Sequence, residues 1–180
     1  MLEIEEPILL GQSFGGFVAL GVAIRHPDLP AKLVLSSTAA RFRLDRVLAM
    51  FERLGGEEAR LVYERFFHEP NRETFKAFLA TCLPLYNPTP GDPDAQARSR
   101  LSFRGDVFFH FLRGEWRTVD WFGDLDRIRC PTLILAGELD PMTTVPDQRR
   151  WPRPSGDRSS KSFLARGMAS FETDPMKRSG

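Results

Sequence analysis

The sequence predicts an α/β fold, a partial parallel sheet with a helical region inserted between its strands. Three observations carry that expectation. The apolar run Pro7-Ile8-Leu9-Leu10 leads through Gly11-Gln12-Ser13-Phe14-Gly15 into a small and apolar stretch from Gly16 to Ile24, the order strand, sharp turn, buried helix. Lys32-Leu33-Val34-Leu35-Ser36-Ser37 follows the loop His26-Pro27-Asp28-Leu29-Pro30 and reads as a second buried strand, which completes a right-handed crossover in a parallel sheet. A third strand, Pro131-Thr132-Leu133-Ile134-Leu135-Ala136-Gly137, comes much later and ends at Glu138-Leu139-Asp140-Pro141. Asp140 is therefore expected just past the carboxyl end of a strand, where open α/β sheets gather their sites.

Between the second and third strands the pattern changes. From Phe42 to about Arg127 apolar residues recur at helical spacing, as in Leu44, Val47, Leu48 and Phe51, then Leu61 beside Glu64, Arg65 and His68, then Phe75, Phe78 and Leu79. Breaks are expected at Gly55-Gly56, Glu69-Pro70 and Pro88-Thr89-Pro90-Gly91. Fifteen of the 20 aromatic residues fall between Phe42 and Phe122, so this insertion must bury a face, and the active edge of the sheet is the natural partner. Most of these aromatics read as helix-packing core. The chain thus divides into core residues 1–41, a helical insertion over 42–127, a core strand with its acid over 128–147, and a tail over 148–180. That tail holds eight basic against three acidic residues, loses hydrophobic periodicity, and reads as irregular.

Composition limits the function classes. With 180 residues, 42% hydrophobic and 27% charged, the chain reads as globular and long enough for one domain. A net charge of +1 argues against nucleic acid or an anionic membrane as the main partner. No segment approaches the roughly 18 consecutive apolar residues of a membrane span, and the acidic start Met1-Leu2-Glu3-Ile4-Glu5-Glu6 is unlike a basic signal peptide, so the cytoplasm is the expected compartment. Cys82 and Cys130 read as reduced packing residues. Nothing has metal-ligand spacing, and no metal or organic cofactor is expected.

The G-x-S-x-G pentapeptide Gly11-Gln12-Ser13-Phe14-Gly15 carries the chemistry. A strand-to-helix turn lifts such a serine above the sheet, and the flanking glycines let backbone elements approach closely. The reaction implied is attack by Ser13 Oγ on a carbonyl carbon. A serine hydroxyl is a weak nucleophile unless a base takes its proton, and that base needs a carboxylate to fix its tautomer. The amide of Phe14, at the start of the helix, suits a developing oxyanion.

Gly11-Gln12-Ser13-Phe14-Gly15-Gly16-Phe17, Lys32-Leu33-Val34-Leu35-Ser36-Ser37 and Cys130-Pro131-Thr132-Leu133-Ile134-Leu135-Ala136-Gly137-Glu138-Leu139-Asp140 resemble the capped branch of the α/β-hydrolase fold that includes proline iminopeptidases and related esterases and amidases. The resemblance runs from about Ile4 to Asp147. It implies that Ser13 is the nucleophile, that the Phe14 N–H is one oxyanion donor, that Gly11 and Gly15 are the elbow glycines, and that Asp140 orients the base. Glu138 competes with Asp140, and the family's glycine-x-x-aspartate spacing selects Asp140; the alternative role for Asp140 is a turn residue before Pro141. The helical insertion would be a cap, and Glu64, Glu69 or Glu73 could meet a substrate's free amine, although acids on a helix usually form a solvated face. The substrate would be a small ester or amide, or a short peptide.

Two parts of the family pattern are not in the sequence. The family's histidine follows the acid, and no histidine follows Asp140; His26, His68 and His110 all precede it and read as structural or solvated. Family members also hold about four strands and a second oxyanion donor before the elbow. Three readings follow, a serine hydrolase impaired as this lone chain, a non-catalytic remnant with at most a binding role, or a hydrolase whose missing strands and base come from separate chains. With unpaired strand edges and an uncovered sheet face, the lone chain is expected to be poorly stable.

A break in reading frame just after Asp147 would explain the tail. Reading the third base of each codon with the first two of the next, Met168-Ala169 forces glycine, Gly167-Met168 permits histidine and Arg166-Gly167 permits glycine, so that Gly-His-Gly can emerge. Met176-Lys177 forces glutamate and Trp151-Pro152 forces alanine. The 21 arginines against 4 lysines point to a GC-rich gene that supplies the required third bases. The nucleotide sequence is expected to show this alternative frame open through the tail; stop codons in it, or no histidine codon at the Gly167-Met168 junction, refute the frame break.

Overall fold

The computed structural model describes residues 4–86 and 104–143 together with the backbone of a strand at 161–165. Strand β1 (Ile8–Gln12) turns at Ser13 into helix α1 (Phe14–Arg25), which returns to strand β2 (Lys32–Ser36). Helices α2 (Leu44–His68), α3 (Arg72–Thr81) and α4 (Gly105–Arg113) follow, then strands β3 (Thr132–Gly137) and β4 (Lys161–Ala165). Short 3-10 turns occupy Leu83–Tyr86, Glu115–Arg117 and Phe122–Arg127. The strands form one parallel sheet in the order β1-β2-β3-β4, with Leu10 opposite Val34 and Val34 opposite Leu133.

A parallel sheet that grows in one direction by right-handed crossovers carries its connections on a single face. The packing follows that rule. Leu20, Ala23 and Ile24 of α1 bury against Leu33 and Leu35 of β2, joined by Leu125 and Ile128 from the segment entering β3. On β1, at the edge of the sheet, Ile8 and Leu10 are 63% and 55% exposed, so this apolar strand is covered on one side only among the described residues.

The segment between β2 and β3 builds a second core. Phe51 and Tyr63 of α2 stack with ring centroids 4.6 Å apart, and Phe66 stacks on Phe78 of α3 at 5.0 Å. The expected break at Gly55-Gly56 is present: Gly56 has φ 74°, a left-handed conformation that glycine adopts without strain, and splits α2 into two arms. The break at Glu69-Pro70 is also present, and Asn71 caps α3 with its side chain accepting from the amides of Glu73 and Thr74. Leu61 and Leu79 lie in these helices but face solvent, 48% and 41% exposed. Among the described residues no helix is long and apolar enough to cross a membrane.

Phe42, Phe67, Leu112 and Met142 join this aromatic core to a third cluster of Phe17, Ala39 and Trp116, which ties the helices to α1 and to the end of β3. Phe14 meets Phe111 of α4 edge-on at 4.4 Å.

The structure differs from the sequence expectation in the tail. Residues 148–180 read as irregular, yet Lys161–Ala165 forms β4, paired in parallel with β3 from Leu133↔Lys161 to Gly137↔Ala165. A sheet edge offers backbone donors and acceptors to any extended segment, so pairing does not require the alternation that the sequence lacks there. The sheet has four strands where three were expected. The break at Pro88-Thr89-Pro90-Gly91 lies outside the described residues.

Cys82 is fully buried, its Sγ directed at the Ala59 carbonyl at 3.4 Å, and burial pushes its thiol up to about 11. Burial also raises the Cys130 thiol. A raised thiol stays protonated below its folded value, and only the thiolate reacts. Both cysteines are therefore expected to resist Ellman's reagent at pH 8 in the folded protein and to react together in denaturant; rapid reaction of Cys82 without denaturant contradicts this packing.

Candidate active site

The chain reverses abruptly at Ser13. Its backbone adopts φ 49° and ψ −120°, a conformation that L side chains rarely take. Serine at a helix start normally bonds its side-chain oxygen back to the helix, but Ser13 makes no such capping bond. The side chain is half-buried at the carboxyl edge of the sheet.

The conformation is held from three directions. The Ser13 amide donates to the Ser36 carbonyl at 3.0 Å, continuing the β1–β2 ladder by one residue. Its carbonyl accepts the Gly16 amide at 2.9 Å and the Thr38 hydroxyl at 2.9 Å. Three bonds at about 1 kcal/mol each offset a backbone strain of about 1–3 kcal/mol.

The glycines around Ser13 are not equivalent. A Cβ on Gly11 would lie 2.5 Å from the Gly15 carbonyl oxygen and 2.7 Å from the Gly16 Cα, an approach that only glycine permits. A Cβ on Gly16 would lie 2.4 Å from Thr38. At Gly15 nothing among the described residues comes within 4 Å. The sequence motif singles out Gly11 and Gly15, while the steric need falls on Gly11 and Gly16.

The start of α1 leaves donors available. Among the described residues the Phe14 and Gly15 amides donate to no acceptor, and Gly16 is the first amide of this turn to find a carbonyl. Unpaired amides at a helix start carry partial positive charge and favour an anion beside them.

Asp140 lies at the same edge, two strands away, which places the ends of β1 and β3 about 10 Å apart. It is fully buried. Its Oδ1 accepts the amides of Met142 and Thr143 at 2.9 and 3.0 Å, and its Oδ2 accepts the Thr143 hydroxyl at 2.6 Å. The carboxylate thus closes its own turn before any other residue reaches it. Met142 in that turn packs against the aromatic helices, so the acid's loop is anchored to them.

The histidines are elsewhere. His26 follows the last residue of α1, roughly 18 Å along the helix axis from Ser13. His68 ends α2, edge-on to Phe67, and His110 is exposed on α4. Glu64, Glu69 and Glu73 pair at the helix surface with Arg60 or Arg65 at 2.9–4.0 Å, as a solvated face does. Among the described residues no three His, Cys, Asp or Glu side chains gather as a metal-holding group. A cavity of about 340 Å³ lies on the outer face of α1 between Phe14, Val18, Arg25 and Phe111, Trp121, and Ser13 does not line it.

Residues 1–153 match the sequence pattern of the alpha/beta hydrolase fold. The chain belongs to the alpha/beta hydrolase family. Over 38 residues it is 55% identical to a 2-hydroxymuconate semialdehyde hydrolase of Pseudomonas sp. (strain CF600), a stretch covering 21% of this chain and 13% of that protein. Its structure resembles MenH from S. aureus (26% identity, TM-score 0.60, 91% of this chain and 61% of that one). It also resembles a proline iminopeptidase of Mycobacterium smegmatis (20% identity, TM-score 0.63, covering 92% and 59%) and the esterase RhEst1 from Rhodococcus sp. ECU1013 (21% identity, TM-score 0.58, covering 95% and 61%). The chain spans about three fifths of these solved structures.

The glycine geometry gives an ordered prediction for this family member. Gly11→Ala, obstructed by backbone, is expected to destabilise by about 3 kcal/mol or more, and Gly16→Ala, obstructed by one side chain, by about 1–3 kcal/mol. Gly15→Ala is expected to be neutral or to stabilise by up to about 1 kcal/mol, because alanine favours a helix. Denaturant midpoints check the order, and equal losses at Gly11 and Gly15 contradict it.

Proposed function

We propose that the chain is a serine hydrolase, impaired as a lone chain, that cleaves small esters or amides, or short peptides, through an acyl-enzyme on Ser13. The observation that carries this reading is the Ser13 backbone at φ 49°, with its hydroxyl spared from helix capping. Strain of this kind persists only where surrounding contacts over-determine it, and it clusters at reactive residues.

In the proposed reaction Ser13 Oγ attacks the carbonyl carbon while a base takes its proton. The carbonyl oxygen becomes an oxyanion beside the Phe14 amide at the positive end of α1. Collapse expels the alcohol or amine, which takes that proton, and water then releases the acid. Asp140 is the carboxylate that orients the base: its three intraloop donors leave it one further acceptor position, on Oδ2. The helices between β2 and β3 act as a cap whose aromatic side chains shape the substrate's surroundings, and the likeness to a proline iminopeptidase and to an esterase supports this substrate range.

None of the histidines in this sequence sits where the base is needed, so the chain alone attacks slowly. That observation favours the second reading, a non-catalytic family member with a binding role. A fluorophosphonate probe separates the two. On the proposed reading, intact-mass analysis shows a single phosphonyl adduct that forms over hours and is lost in Ser13→Ala, while ester turnover stays close to the uncatalysed rate. An unmodified mass after prolonged exposure rejects the nucleophile and leaves the binding role.

A further inference from the structure

Beyond β2 the backbone makes a second unusual excursion. Ser37 adopts φ 45°, a left-handed conformation for a non-glycine residue, and is fully buried. Its amide donates to the Leu135 carbonyl of β3 at 2.9 Å, so the excursion is fixed by the neighbouring strand. The effect is to carry Thr38, itself 1% exposed, beneath the β1–α1 turn. There its hydroxyl donates to the Ser13 carbonyl, while its side chain fills the space that a Cβ on Gly16 would occupy. Two residues of positive φ, one just past β1 and one just past β2, are therefore linked through Thr38.

We propose that Thr38 is a positioning residue: by holding the Ser13 carbonyl, its hydroxyl keeps Ser13 in the left-handed conformation that presents its side chain at the sheet edge. This inference rests on Ser13 being the nucleophile. The carbonyl of a residue in Ser13's place normally accepts the amide four residues on; here it accepts the Gly16 amide, three residues on, and the second acceptor position goes to Thr38. Without the hydroxyl that buried position loses its donor, and the turn can relax toward an ordinary helix start. The methyl and hydroxyl have separable tasks, since the methyl fills space and only the hydroxyl fixes the carbonyl.

The experiment compares Thr38→Val, which keeps the shape and removes the donor, with Thr38→Ser, which keeps the donor. Thr38→Ala replaces the valine variant if that fails to fold. Backbone amide exchange is followed at Ser13 and Gly16 against the amides of α3, and the fluorophosphonate rate on Ser13 is measured in parallel. In Thr38→Val, exchange at Ser13 and Gly16 is expected to rise about fivefold to tenfold relative to α3, the factor that one lost hydrogen bond gives. Phosphonylation is expected to fall by at least the same factor, and Thr38→Ser restores both. The proposal is overturned if Thr38→Val leaves the Ser13 and Gly16 amides unchanged, if all amides accelerate together, or if serine is as damaging as valine. It is also overturned if those amides loosen while Ser13 labels at the original rate. Selective, serine-rescued loosening in a protein that never labels supports the hold of Thr38 on the backbone and removes the nucleophile reading instead.

Discussion

The hydrogen bond from the Ser13 amide to the Ser36 carbonyl is the constraint on which the rest of the site depends. It extends the β1–β2 ladder one residue past Gln12, so Ser13 is still held as a strand residue when the next residue is already helical. An extended residue can precede a helix directly, as Arg43 and Asn71 do, but the reversal that lays α1 back against β1 is made here at a positive φ. Gly11 follows from the same bond. With the turn this tight, the start of α1 lies against β1, and only a residue without Cβ fits beneath Gly15 and Gly16.

Nucleophile and acid candidates are held by opposite means. Ser13 is fixed by its neighbours, through Ser36, Thr38 and Gly16, whereas Asp140 is fixed by bonds to residues two and three positions ahead in its own turn. The first arrangement fails when β2 moves. The second survives as long as Met142 keeps its place against the aromatic helices. Burial and three donors also make Asp140 costly to replace by an apolar residue, because the amides of Met142 and Thr143 would then lose this acceptor.

Much of this was legible in the sequence, and the parts that were not share a cause. Glycine spacing, the apolar runs and the Gly55-Gly56 break are local signals, and each corresponds to the element it indicates: the β1–α1 turn, strands β1 to β3, and the kink in α2. Thr38 gives no such signal, because its partner is 25 positions away and depends on the excursion at Ser37. Gly16 lies just outside the pentapeptide, so the motif named Gly15 where steric demand falls on Gly16. Strand β4 was missed because its residues lack alternation, and pairing with β3 is a property of the sheet edge. The capping box of Asn71 and Thr74 is a local signal as well, and it marks the start of α3.

The single-face crossover rule has a last consequence for how the site is supported. Leu33 and Leu35 point toward α1 and are fully buried, while Val34 between them is only partly buried. On β1 the same alternation leaves Leu9 packed and Leu10 exposed. Ser13 therefore stands on a strand whose order comes from α1 on one face and β2 along one edge. Its other edge bonds to no strand among the described residues. A strand held on so few sides samples local opening more readily than a central one. The link from Leu135 through Ser37 and Thr38 to Ser13 runs on the supported side, tying the turn to β3 as well as to β2. The fixed geometry of Ser13 thus depends less on β1, which is exposed, than on the buried end of β2.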